Sequence, residues 1–180
     1  MKTNIWFDCE FTGLQKDTSL ISIGLIADNN HTFYAEFTDY NTKQVDEWIR
    51  TNVIANLRLQ HLKGHSDINI TPMKAREVIG DKRTVTAYLK QWLDQFKEVE
   101  VWSDTLAYDW VLFCDLFGGA LKLPKNIYYI PFDLSTLMKI KGVDPDIDRV
   151  KFAEAPKLLK HNALDDARLQ KLCTEKLLKM

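Results

Sequence analysis

Residues 5–14 read IWFDCEFTGL, and two carboxylates stand in this largely apolar run. Side chains alternate between the two faces of a β-strand, so Asp8 and Glu10 share one face while Phe7 and Cys9 share the other. At a rise of about 3.3 Å per residue the two acids are about 6.6 Å apart. At an effective dielectric constant of about 20 they repel each other by about 2.5 kcal/mol. The pattern therefore predicts a buried strand whose acidic face needs a positive partner.

The composition is that of one globular domain, with 180 residues of which 46% are apolar and 27% charged. The net charge of −1 argues against a global basic field that binds nucleic acid non-specifically. The three cysteines are spaced neither as a disulfide framework nor as a zinc knuckle, which is typical of a reducing compartment. Because no stretch approaches the length of a membrane span, we expect a single cytoplasmic domain over residues 1–180.

Hydrophobic patterns along the chain predict a mixed sheet with helices packed on it. The predicted strands are 3–11, 20–27, 31–38, 98–103 and 127–133, the last interrupted by Pro131. The predicted helices are 45–59, 84–96, 106–117 and 162–178, and the segments 61–83 and 142–160 are predicted to be irregular. Short turns between the first three strands favour an antiparallel meander. The expected fold class is therefore α/β, with a five-stranded mixed sheet.

Further acids lie at two predicted helix starts, Asp109 in the helix that follows strand 98–103 and Asp166 in the last helix. Taken singly, each is well explained as a helix-initiating acid, because the partial charge there is positive. Together with the acid pair of the first strand they supply four oxygen ligands of the kind that Mg²⁺ or Mn²⁺ prefers. A two-metal site would convert the repulsion between the acids into attraction. His161 could then accept a proton from an attacking water at neutral pH.

Three short motifs follow one another between residues 8 and 167. They are D-x-E followed by TG at 8–13, an aromatic residue followed by Asp at 108–109, and H-x₄-D within HNALDDA at 161–167. In this order they resemble the motifs of the DEDDh branch of the DnaQ-like 3′–5′ exonuclease superfamily. The third motif selects Asp166 over Asp165.

Longer stretches narrow the resemblance to the compact single-domain bacterial and phage exoribonuclease-like proteins. These stretches are LISIGLIADNNHTFYAEF (20–37), WIRTNVIANL (48–57) and YDWVLFCDLFG (108–118). CEFTGL (9–14) and DLSTLMKI (133–140) are also similar to oligoribonuclease. The resemblance implies a ribonuclease-H-like fold and a metal-dependent enzyme that removes nucleoside 5′-monophosphates from RNA 3′ ends. It also suggests a homodimer.

The resemblance assigns roles to individual residues. Two Mg²⁺ or Mn²⁺ ions would be held by Asp8, Glu10, Asp109 and Asp166, with His161 as general base. The candidate substrate-binding residues are Phe11, Thr12, Gly13, Leu14, Trp102 and Tyr108. Independently of the resemblance, Lys157, Lys160, Arg168 and Lys171 of the basic C-terminal third are candidates for steering the nucleic-acid backbone.

Several alternatives stay open at the level of sequence. Asp104 rivals Asp109 as a metal ligand, and Phe11 is as well explained by core packing as by stacking on a base. The substrate could be DNA, as in a proofreading-like 3′–5′ exodeoxyribonuclease. The chain could also be a non-catalytic nucleic-acid-binding protein of the same fold, or a ribonuclease-H-like endonuclease.

Overall fold

The computed structural model describes residues 2–60 and 73–180, which hold six strands and six α-helices. The strands are β1 (Thr3–Phe11), β2 (Leu20–Ala27), β3 (Thr32–Phe37), β4 (Ala75–Gly80), β5 (Val99–Ser103) and β6 (Phe132–Asp133). The α-helices are α1 (Glu47–Asn52), α2 (Lys82–Leu93), α3 (Ala107–Leu116), α4 (Leu134–Ile140), α5 (Arg149–Ala153) and α6 (Ala163–Lys179). A short 3₁₀ helix over Ile54–Asn56 follows α1.

The six strands form one mixed sheet in the order β4-β3-β2-β1-β5-β6. The first three strands are antiparallel neighbours, as the short turns between them predict. The pairs β3–β4, β1–β5 and β5–β6 are parallel. The predicted α/β class is therefore confirmed, and the architecture is compatible with a ribonuclease-H-like fold in which β1 lies inside the sheet.

The sequence predicts five strands, whereas the described residues hold six, because β4 lies in the segment 61–83 that is predicted to be irregular. Part of that segment, 61–72, is outside the described residues. Arg76 of β4 is only 6% exposed, and its guanidinium lies 4.6 Å from the ring centre of Tyr88. A buried arginine stacked on an aromatic ring interrupts the apolar alternation that identifies a strand.

Other differences concern where elements begin and end. The predicted strand 127–133 pairs only at its two ends, through a bridge of Ile127 to Val99 and through β6, and Pro131 between them has no N–H to donate. The predicted helix 45–59 is divided into α1 and the 3₁₀ helix. The segment 142–160 is not wholly irregular, because it contains α5.

The two faces of the sheet are covered differently. Apolar side chains of α2 and α3 pack on one face and form the main core with Ile5, Phe7 and Cys9 of β1. On the opposite face, Trp6 of β1 and Ile26 of β2 pack against Ala167 of α6. The face of β1 that carries Asp8 and Glu10 is therefore the one that α6 covers.

Close approach of α6 to the sheet depends on Gly24 in β2. An ideal Cβ built at Gly24 would lie 2.2 Å from the backbone nitrogen of Leu164 in α6. Gly24 is also the direct partner of Asp8 in the β1–β2 register. The absence of a side chain at this position allows the first turn of α6 to rest on the backbone beside Asp8.

Polar side chains occupy part of the buried face of α6. Lys171 is 6% exposed, and its ammonium group donates to the carbonyls of Ala27 and Asp28 and to Oδ1 of Asn30. This position excludes the backbone-steering role predicted for Lys171, since the lysine caps the β2–β3 turn instead.

No helix among the described residues is both long and apolar enough to cross a membrane.

The three cysteines are free, as their spacing predicts, and all three are buried. Cys9 and Cys114 are each 5% exposed, and Cys173 is 0% exposed.

Candidate active site

The acid pair of β1 faces the beginning and middle of α6. Oδ1 of Asp8 accepts a hydrogen bond of 3.0 Å from Nε2 of Gln170. Glu10 lies nearer to the start of the helix, where its carboxylate approaches His161 and Asp166. The alternation of side chains along 5–11 therefore predicts correctly which residues meet α6.

Asp109 approaches the same site from the first turn of α3. It is 7% exposed, and its Oδ1 accepts a hydrogen bond of 2.9 Å from the backbone N–H of Cys9. That N–H lies between the two acids in the chain, so one hydrogen bond ties α3 to the acidic part of β1. Asp109 also contributes to the electrostatics of Asp8, since its charge raises the pKa of Asp8 second only to burial.

Asp104, the rival of Asp109, is engaged elsewhere. Its carboxylate forms an ion pair with Arg149 of α5, at 2.8 Å from Nε and 3.1 Å from Nη2. Oγ of Ser135 donates a further hydrogen bond of 2.6 Å to it. Although Asp104 borders the same cavity, its negative charge is already balanced. The geometry therefore favours Asp109 over Asp104 as a free carboxylate in the site.

The third motif brings His161 and Asp166 to Glu10. One ligand atom from each of these three side chains lies within 4.8 Å of the others. Asp166 occupies the first turn of α6, and Asn162 is the N-cap residue of this helix. His161 precedes the cap and has a backbone φ of +57°, in the left-handed region.

The neighbouring acid, Asp165, points away from this cluster. It forms ion pairs of 2.7 Å with Arg58 and with Arg168, and it accepts a hydrogen bond of 3.1 Å from the N–H of Leu159. Although burial opposes ionisation, these three donors lower the pKa of Asp165. Asp165 is thus a structural anchor for α6, which agrees with the choice of Asp166 by the third motif.

The carboxyl groups of the site share raised pKa values. Burial, followed by the charges of Asp109 and Asp166, raises the pKa of Asp8 well above its ordinary value. Burial is also the main cause that raises the pKa of Glu10 to about 8, of Asp109 to about 7 and of Asp166 to about 6. His161 behaves differently, because burial and the charge of Lys160 lower its pKa. The imidazole is therefore neutral at pH 7.

This charge arrangement fits a divalent cation. Within residues 2–60 and 73–180, none of the four carboxylates, Asp8, Glu10, Asp109 and Asp166, forms an ion pair with lysine or arginine. Clustered carboxylates without cationic partners are costly in a buried site unless a metal ion or protons neutralise them. Their oxygen donors are of the class that binds Mg²⁺ and Mn²⁺.

The acids open into a cavity of about 690 Å³, a size in the range of small-molecule sites. Phe11 and Tyr108 form part of its apolar wall, with rings stacked at 5.6 Å between centroids and 23° between planes. The hydroxyl of Tyr108 donates to the carbonyl of Leu14, whose own side chain is 77% exposed. Phe11 also packs against the main core, and its stacking on a base stays a prediction.

Three predicted substrate-binding residues do not line the cavity. Thr12 is 1% exposed, and its hydroxyl donates to Oε1 of Gln44 at 2.7 Å. Gly13 occupies a turn with φ of +143°. Trp102 stacks on Phe132 at 4.9 Å between centroids, at the edge of the sheet.

Sequence reasoning missed several residues that border the site. Gln170 follows Asp166 by four positions in α6 and therefore shares its face, a spacing from which it could have been found. No spacing in the sequence identifies Arg149, because only the fold brings it to Asp104. Trp48 of α1 contacts the ring of His161 edge-on, at 5.1 Å between centroids, and is likewise brought there by the fold.

Comparison with known proteins gives a consistent result. The model of the Rv2179c-like 3′–5′ exoribonuclease domain family matches residues 3–178. Two similar proteins from Mycobacterium tuberculosis are named 3′–5′ exoribonuclease Rv2179c (strain ATCC 25618 / H37Rv) and 3′–5′ exoribonuclease MT2234.1 (strain CDC 1551 / Oshkosh). Each is 26% identical to this chain over 167 residues, which cover 92% of this chain and 87% of the relative.

Proposed function

The chain belongs to the Rv2179c-like 3′–5′ exoribonuclease domain family, and from that premise we propose a metal-dependent mechanism for its activity as a 3′–5′ exoribonuclease. The observation that carries the mechanism is the convergence of acids from β1, α3 and α6 on one cavity with a histidine. The five residues are Asp8, Glu10, Asp109, His161 and Asp166. This set supports placing the chain in the DEDDh branch of the DnaQ-like exonucleases.

The four carboxylates are proposed to hold two Mg²⁺ or Mn²⁺ ions. Bound divalent ions lower the pKa of water and stabilise the charge that develops on a phosphodiester during in-line displacement. The protein's part is to hold the carboxylates close together, and bound cations would favour their ionised forms. Gln170 contributes to this by donating to Oδ1 of Asp8, which fixes the orientation of that carboxylate.

His161 is proposed to be the general base. Its lowered pKa keeps the imidazole unprotonated at neutral pH, so it can accept the proton of the attacking water. The water then attacks the last phosphodiester of the strand, the 3′ oxygen of the preceding nucleotide leaves, and a nucleoside 5′-monophosphate is released. The wall formed by Phe11, Leu14 and Tyr108 is suited to an aromatic base of the terminal nucleotide.

The remaining predictions concern the protein as a whole. We propose that residues 1–180 act as one exonuclease domain. A homodimer and a cytoplasmic location stay predictions.

The experiment that tests the proposed function compares a 3′-overhang RNA with a DNA of the same sequence, each with Mg²⁺, Mn²⁺ or EDTA. We expect a ladder of products shortened from the 3′ end, faster on RNA than on DNA and absent in EDTA, because the carboxylates need the cations. Mononucleotide release is measured by chromatography of the products.

Each rival function gives a different outcome in the same assay. Faster shortening of the DNA would favour an exodeoxyribonuclease. A mobility shift without products would favour a non-catalytic binder. Internal cuts in a circular RNA, which has no 3′ end, would favour an endonuclease.

A further inference from the structure

The backbone of His161 adopts a conformation that needs outside support. Its φ of +57° lies in the left-handed region, which is unfavourable for a residue with a Cβ atom. The residue lies in a turn between Lys160 and the cap of α6, so the conformation is not part of a regular element. Contacts from elsewhere in the chain must therefore fix the turn.

Asn56 contacts both chain neighbours of His161. Its Nδ2 donates to the carbonyl of Lys160 at 2.8 Å and to the carbonyl of Asn52 at 2.7 Å. Its own carbonyl accepts a hydrogen bond of 3.0 Å from Nδ2 of Asn162. One residue of the 3₁₀ helix thus holds the chain immediately before and immediately after the histidine.

The contact between Asn56 and Asn162 is anchored in the interior. Asn162 is 1% exposed, and its Nδ2 also lies 3.4 Å from the hydroxyl of Tyr34. That hydroxyl donates to Oε1 of Glu36 at 2.8 Å. Glu36 is 0% exposed and accepts the backbone N–H groups of Arg58 and Leu59 at 2.6 and 2.8 Å. The chain that follows Asn56 is therefore fixed to β3 by a buried carboxylate.

We infer that Asn56 is a positioning residue, which holds the turn of His161 so that the imidazole reaches the Glu10–Asp166 end of the cavity. The inference rests on the proposed role of His161 as general base. Asn56 touches neither the cavity acids nor the cavity itself. Its effect on the reaction is therefore indirect, and the inference assigns that effect to His161, which lies between the two residues that Asn56 contacts.

The test is a double-mutant cycle with Asn56→Ala and His161→Ala. Asn56→Ala removes both side-chain donors but keeps the carbonyl that accepts from Asn162. We expect kcat on RNA to fall about 10- to 100-fold, because a displaced general base loses its alignment. KM for RNA and the Mg²⁺ concentration at half-maximal rate should stay unchanged. In the His161→Ala background, Asn56→Ala should cause no further loss.

Asn126→Ala is the matched control, since Nδ2 of Asn126 also donates to two backbone carbonyls, those of Leu93 and Phe96, remote from the cavity. We expect it to lower the melting temperature while leaving kcat unchanged. Where a variant is too slow for steady-state kinetics, single-turnover rates with enzyme in excess over RNA replace kcat in the comparison.

Two results would overturn the inference, and they are distinguishable. An equal loss from Asn56→Ala in both backgrounds, with His161→Ala itself strongly impaired, would refute the positioning role and leave the general base intact. Full activity of His161→Ala would refute the proposed base and the inference with it.

Discussion

An Asp8→Asn protein is expected to lose RNA hydrolysis by about 10³-fold or more, because losing several kcal/mol of metal-dependent transition-state stabilisation has that effect. Asn keeps the shape of the side chain and can still interact with Gln170, so the fold should survive. The central position of Asp8, between Asp109 and the acids of α6, explains why this substitution should be the most damaging. Single-turnover rates on a 3′-overhang RNA at saturating Mg²⁺ measure the effect.

The same substitution should stabilise the metal-free protein. Because the pKa values of the site carboxyls are raised on folding, the folded protein binds protons more tightly than the unfolded chain. The contribution of these groups to stability is therefore greatest below the ordinary pKa of a carboxyl group, and it is lost as the pH rises through the folded values, from about 6 for Asp166 to about 8 for Glu10. Asp8→Asn removes one of these carboxyl groups, and with it part of the stability that is lost as the pH rises.

We therefore expect Asp8→Asn to melt at a higher temperature than the unmodified chain in EDTA at about pH 8, by about 2–4 °C for each kcal/mol regained. The difference should shrink at about pH 3, below the ordinary pKa of a carboxyl group, where the carboxyl groups are largely protonated in both states. If Asp8→Asn melted at a lower temperature than the unmodified chain in EDTA at about pH 8, the proposed electrostatic cost of the Asp8 carboxylate would be contradicted.

Asp104→Asn is the matched control for the catalytic effect, because it also removes a carboxylate that borders the cavity. It breaks the ion pair with Arg149 and should lower stability while retaining most of the activity. If Asp104→Asn were inactive and Asp109→Asn active, the ligand role would move to Asp104.

A Gly24→Ala protein is expected to lose about 10²-fold in kcat/KM and about 1–3 kcal/mol of stability. The added methyl group would meet the backbone of Ala163 and Leu164 rather than a side chain that can turn away. Since α6 carries Asp166 and follows His161, moving it from the sheet separates these two residues from Asp8 and Glu10. Hydrolysis rates and thermal melting measure the two effects.

Gly80→Ala serves as the control, because it adds the same methyl group to a glycine of the same sheet. There the new atom would meet the side chain of Thr84, in α2 and outside the cavity. We expect a smaller loss of stability and unchanged kcat. Full activity of Gly24→Ala would show that the contact between α6 and the sheet is not needed to assemble the site.

The elements that the sequence predicts best are those whose burial follows a regular period. Alternation along β1 gives the face on which Asp8 and Glu10 lie, and the meander follows from short turns. The spacing of the third motif places His161 and Asp166 together, which the structure shows. These features depend on the geometry of the chain within one short segment, so the sequence of that segment predicts them.

The features that the sequence does not reveal depend on contacts between distant segments. A charged residue such as Arg76 is expected at an exposed position, yet Arg76 stacks on Tyr88 and is buried within a strand. Lys171 appears to be a free surface charge, yet three acceptors of the β2–β3 turn surround it. The ion pair of Asp104 with Arg149 separates it from Asp109, although neither spacing nor residue type distinguishes the two acids beforehand.

The position of Cys9 between the two acids of β1 has a consequence for thiol chemistry. Burial, followed by the charges of Asp109 and Asp8, raises the pKa of Cys9 well above its ordinary value, and burial likewise raises that of Cys114 to about 11 and of Cys173 to about 12. The thiolate is the nucleophile that adds to maleimide, so the thiols of the native protein should resist labelling by maleimide. Labelling rates followed by mass spectrometry would then report how often the chain opens, and rapid labelling of Cys9 in the native state would contradict its burial.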